Sequence, residues 1–111
     1  GGASNQAESF RVDVIVREQG VEISNGCAII ETIPKTDEDE YVLDTLSEMI
    51  VALKQEYPEQ ETASVLMEPR IPYDYLIQVM DIVRSVEVPT DVEDEFELYA
   101  LFTDISVGEA P

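Results

Sequence analysis

The chain has 111 residues, 44% of them hydrophobic, enough for a single domain with a core of its own. Six Lys and Arg against 25 Asp and Glu leave a net charge of −19, which argues against nucleic acid as a partner, since a polyanion is held by cationic surface, and against docking on anionic lipid. There is no His and only one cysteine, Cys27, so an imidazole triad, most zinc sites and an internal disulfide are excluded.

Gly1-Gly2-Ala3-Ser4 resembles the remnant of a cleaved tag, and residues 1–9 are small and polar. They read as a tag remnant and mobile lead-in to a domain over 10–107, itself a piece of a longer protein, with 108–111 as a tail. No apolar run approaches the roughly 18 residues that span a bilayer, which leaves open an anchor upstream of Phe10.

Phe10, Val12, Val14 and Val16 alternate with polar residues, the pattern of a half-buried strand. Glu18-Gln19-Gly20 is a turn, and Val21-Glu22-Ile23 alternates again as a hairpin partner. Asn25-Gly26 is a strong turn signal because both residues tolerate positive φ. Cys27 to Ile33 then predicts a third strand closed by Pro34, with Cys27 as a small apolar filler.

The acids Asp37 to Glu40 suit the positive end of a helix dipole. Behind them Leu43, Leu46, Ile50, Leu53 and Tyr57 recur at steps of three and four, predicting an amphipathic helix that stops at Pro58. Thr62 to Met67 is a short strand. Pro72 suits the first position of a second helix marked by Leu76, Val79, Met80, Val83 and Val86 and ended by Glu87-Val88-Pro89. Residues Thr90 to Glu95 form an acidic loop, and the run Leu98 to Phe102 predicts a last strand buried on both faces. Strand–helix–strand units require parallel pairing and the front hairpin requires antiparallel pairing. The expected fold is therefore α+β, a two-layer sandwich in which a mixed sheet of about five strands carries two helices, in the order β-β-β-α-β-α-β.

From Met67 to Arg84 the chain runs Met-Glu-Pro-Arg-Ile-Pro-Tyr-Asp-Tyr-Leu-Ile-Gln-Val-Met-Asp-Ile-Val-Arg. This string resembles the signature of the ExbD/TolR biopolymer-transport family: a strand ending in an acid, a short loop, Val/Ile-Pro-Tyr, and a helix bearing Val-Met-Asp. The matching positions are Glu68, Ile71, Pro72, Tyr73, Val79, Met80 and Asp81, and the order of elements resembles the family's periplasmic domain. The stretch Pro89 to Glu97 departs from it, being longer than the family's link between second helix and last strand.

The resemblance implies a periplasmic domain anchored in the inner membrane by one N-terminal helix. Such a subunit couples the proton motive force to a TonB/TolA-like transducer. The implied partners are an ExbB/TolQ-like proton channel protein, that transducer, a second copy in a homodimer and, in some members, peptidoglycan. No cofactor, metal or catalytic residue is implied. Partner-contact candidates are Pro72, Tyr73, Tyr75, Met80 and Asp81. For Tyr73 a half-buried ring closing the loop competes with a partner-facing aromatic, and for Asp81 a solvated flank competes with a contact. Val79, Met80 and Val83 fit a core stripe by spacing.

The acidic clusters Asp37–Glu40 and Asp91–Glu97 are solvated surface that can steer a basic partner; neither has the calcium-loop pattern. A carboxylate pair, Glu68 and Asp74, is the only opening for acid–base catalysis, and no nucleophile motif or phosphate loop accompanies it. The alternative to the family role is a free-standing acidic adaptor domain that binds proteins without a membrane anchor.

Overall fold

A computed structural model describes residues 11–111. The expected mobile start and Phe10 lie outside the described residues. The elements are β1 (Asp13–Arg17), β2 (Gly20–Ser24), β3 (Ile29–Pro34), α1 (Leu43–Glu56), β4 (Thr62–Met67), α2 (Tyr73–Arg84), β5 (Ser85–Pro89), β6 (Phe96–Ala100) and β7 (Asp104–Glu109). Five strands form one mixed sheet in the order β3-β2-β1-β4-β7, and β5 and β6 form a separate hairpin. The α+β class and the five-stranded mixed sheet with two helices match the expectation.

The front of the sheet follows directly from local sequence. The two-residue loop Glu18-Gln19 joins β1 to β2, with Arg17 opposite Gly20. At the next turn Asn25 accepts hydrogen bonds on its side-chain oxygen from the N–H groups of Cys27 (2.9 Å) and Ala28 (3.0 Å), while Gly26 takes φ +95°. β1 then pairs parallel to β4, and β4 parallel to β7.

Alternation places Val12, Val14, Val16, Val21, Ile23, Ile33, Ala63 and Val65 in one buried cluster with Leu46, Ile50 and Leu53 of α1 and Leu76, Val79 and Val83 of α2. Both helices therefore cover the same face of the sheet. Ile15 points the other way and is buried outside that cluster, between its register partners Glu22 and Leu66.

Several local expectations are corrected. α2 ends at Arg84, because Ser85 turns to φ −160° and ψ 167° and the alternating Val86 and Val88 continue as a strand. Pro72 is the residue before the helix rather than its first position, with ψ 143°. The acids Asp37 to Glu40 stand ahead of α1 in a turn around Thr36, whose hydroxyl accepts the Glu38 and Glu40 N–H groups; Asp44 is the acid of the first helical turn.

The run Leu98 to Phe102 is not one buried strand. Leu98 and Tyr99 are exposed in β6, and only Leu101 and Phe102 enter the core. The last strand of the sheet is instead β7, which takes in residues 108 and 109 of the expected tail and carries Ile105 and Val107 opposite Ala63 and Val65. Cys27 is exposed and lies ahead of β3, which starts at Ile29, so it fills no core space.

Candidate functional site

The loop and helix start that carry the candidate residues sit at one end of the sheet. Pro72 caps α2 from an exposed position and Tyr73, at 69% exposure, projects into solvent, so its ring does not close the loop. Tyr75 turns inward and meets Tyr41 edge to face at 4.8 Å between ring centroids. The Tyr41 hydroxyl donates to the Arg17 carbonyl at 2.7 Å, and Lys35 Nζ lies 4.5 Å from the Tyr41 ring centroid. Burial, with Tyr75 and the acids Glu68, Asp39 and Glu18 nearby, pushes the Tyr41 phenol up to about 12.

Pro72 and Tyr75 line a cavity of about 210 Å³ together with Glu18, Lys35, Tyr41 and Arg70. Asp81 lines a different and wider cleft of about 540 Å³, where α2 meets the β5–β6 hairpin, with Arg84, Glu87 and Leu98. Its carboxylate is 3.7 Å from Arg84 on the exposed face of α2. Met80 packs half-buried against the core, in keeping with its place on the stripe. Tyr73 and Met80 line neither space. Pro72, Tyr73 and Tyr75 thus stand at the α2 start, Asp81 at the α2–hairpin junction, and Met80 against the core.

Glu68, the acid that ends β4, has a clear structural task. Its carboxylate accepts the Glu18 backbone N–H at 2.7 Å and an Arg17 guanidinium N–H at 3.1 Å. Arg17 also binds Glu22 at 2.7 Å, so one guanidinium links β1, β2 and the end of β4. These bonds, with the Glu18 amide first and Arg17 second, hold the Glu68 carboxyl below the usual range. A depressed folded-state pKa contributes stability that is present above the unfolded value, about 4.3, and is lost as pH falls through the lower folded value. Glu68→Gln is therefore expected to be less stable than wild type at pH 7, with the gap closing below about pH 4. Urea midpoints from pH 7 to pH 3 check this; a gap independent of pH would mean that the carboxylate charge is not what matters. Asp74, the other carboxylate of the hypothetical catalytic pair, is exposed in the first turn of α2.

Sequence reasoning missed Arg17, Lys35, Tyr41 and Arg70 as neighbours of the α2 start. Three of the six basic residues, Arg17, Lys35 and Arg70, gather at this end of the sheet, whereas no Lys or Arg follows Arg84. The basic residues were visible, but only the fold brings them to one corner. Among the described residues, no group of three or more carboxylate or thiol side chains is arranged to hold a metal ion, and no helix is long and apolar enough to cross a membrane. No family model, curated protein or solved structure matches the chain.

Proposed function

We propose that this domain is the periplasmic part of an ExbD/TolR-like inner-membrane subunit. It couples the proton motive force to a TonB/TolA-type transducer through protein contacts and carries out no chemistry itself. The observation that carries this reading is the Met67–Arg84 string: an acid just after a strand, a short loop, then an Ile-Pro-Tyr step into a helix, with Tyr73 largely exposed to solvent. An exposed aromatic beside a rigid proline suits a contact that must form and release, since Tyr brings large area at low entropic cost. α1, α2 and the open edge of β7 offer surfaces for a homodimer and the transducer. On this reading an ExbB/TolQ-like channel protein surrounds an anchor that precedes the domain, and peptidoglycan is a further contact.

The test has two steps. The coding sequence ahead of Phe10 is expected to encode one apolar helix of about 20 residues with an embedded Asp. In membranes, a photo-crosslinker placed at Tyr73 of the full-length protein is expected to capture a TonB/TolA-like protein, and collapse of the proton gradient is expected to change the yield. A cytosolic polypeptide with no such helix would overturn the proposal.

A further inference from the structure

Among the described residues, the β5–β6 hairpin is an arm apart from the main sheet and joined to the body at its base. Beyond Ser85 and Ala100 the ladder runs inward, with the Leu101 N–H donating to the Arg84 carbonyl at 2.7 Å and the Phe102 N–H to the Val83 carbonyl at 3.0 Å. Phe102 is fully buried and roots the arm in the core. At the tip, Thr90 closes the turn: its hydroxyl accepts the Val92 N–H, and its own N–H donates to the Glu95 carbonyl at 3.1 Å. The acidic stretch from Thr90 to Glu95 is thus the turn of a hairpin.

Between base and tip the arm carries apolar side chains into water. Phe96 is 60% exposed, Leu98 68%, Tyr99 50% and Val88 39%. Register places Glu87, Leu98, Pro89 and Phe96 on one face and Val86, Tyr99, Val88 and Glu97 on the other, so each face mixes apolar surface with a carboxylate. A lone two-stranded hairpin is marginal in water, and apolar patches of this kind mark contact sites. The cleft of about 540 Å³ at the root, lined by Asp81, Glu87 and Leu98, extends the same mixed surface toward α2.

Charge selects the occupant. Residues 85–100 hold Glu87, Asp91, Glu93, Asp94, Glu95 and Glu97 and no Lys or Arg. A second copy docking arm to arm would bring two such sets together, and anionic lipid meets the same repulsion. We propose that the β5–β6 arm is the docking site for a cationic segment of another protein, one that lays apolar side chains on Phe96 and Leu98 and its Lys or Arg on the surrounding carboxylates. The carboxylates speed encounter, and the apolar anchors set residence. This site does not depend on the transport role proposed above.

The test titrates isotope-labelled protein with a short synthetic peptide of alternating Lys and Leu, following backbone amide shifts. Controls are a Lys/Ser peptide of equal charge and a Glu/Leu peptide of equal apolarity. The Lys/Leu peptide is expected to shift amides of residues 85–100 and to bind at least about tenfold tighter than either control. Phe96→Ser with Leu98→Ser, both on exposed side chains, is expected to bring its affinity down to that of Lys/Ser. Neutralising the distant cluster with Asp37→Asn, Glu38→Gln and Glu40→Gln is expected to cost less than about threefold. Equal binding of Lys/Leu and Lys/Ser, or a footprint spread across the acidic surface, would overturn the proposal. So would sedimentation showing a dimer that the double variant dissociates, which would make a second copy the occupant. The wild-type footprint decides the matter if the double variant folds poorly.

Discussion

Phe102→Ala is expected to lower the unfolding free energy by about 3–5 kcal/mol, the range for truncating a fully buried aromatic ring. Phe102 has no exposed surface and joins the cluster formed by both helices and the sheet. Lys54 Nζ sits 5.2 Å from its ring centroid, so the ring also anchors the end of α1. A domain of this size has about 5–15 kcal/mol in total, so the variant should stand near the edge of folding at 37 °C. Urea unfolding measures the loss, and Phe102→Leu should recover more than half of it. Because Phe102 roots the hairpin, amide exchange across residues 85–100 should rise more than in the β1–β2 hairpin. A loss under about 1 kcal/mol would mean that the core closes over the gap and that the ring does not root the arm.

Gly20→Ala is the second large effect, for a different reason. Gly20 opens β2 at φ +154°, beside the end of β3. A Cβ there would overlap the Ile33 carbonyl oxygen and lie 2.8 Å from the Pro34 Cα. Both obstacles are backbone, so the end of β3 must shift, taking the Gly20–Pro34 pairing with it. Strain of this sort costs about 1–3 kcal/mol, and we expect the upper part of that range. Gly108→Ala is the control: its Cβ would meet only Leu66 Cδ2, at 3.2 Å, a movable side-chain end. It should change stability by less than about 1 kcal/mol. Equal thermal shifts for the two variants would rule out the backbone clash as the cause.

The parts of the fold legible in the sequence are those set by near neighbours. Val12, Val14 and Val16, the Asn25-Gly26 turn, and the stripes through Leu46, Ile50 and Leu53 and through Leu76, Val79 and Val83 each settle their element locally. The misreadings fall where two periods overlap. Val86 stands three residues after Val83 and so extends the helical stripe, yet it also alternates with Val88. Pairing with Tyr99, which lies beyond the turn, decides for the strand. The run Leu98 to Phe102 straddles a boundary, with exposed residues in the arm and a buried pair at its root, and composition alone does not mark that point. β7 has a clean alternation in Ile105 and Val107, overshadowed by the more apolar run before it.

The candidate site was legible as a motif and illegible as a place. Pro72, Tyr73 and Tyr75 stand out by residue type, but the Tyr41 ring against Tyr75 and the Arg17–Glu68 pair, 51 residues apart, depend on which strands become neighbours.

The sheet order also sets how far apart in the chain the paired strands lie. The meander of β1, β2 and β3 and the β5–β6 hairpin need only short excursions of the chain, so their closure cost is small. β4 is different: Asp13 must find Ser64, and Thr62 must find Asp104, before its two ladders exist. Closing those wide loops costs entropy that is recovered only when the core seals, so the β1–β4 and β4–β7 ladders carry the largest closure cost in the sheet.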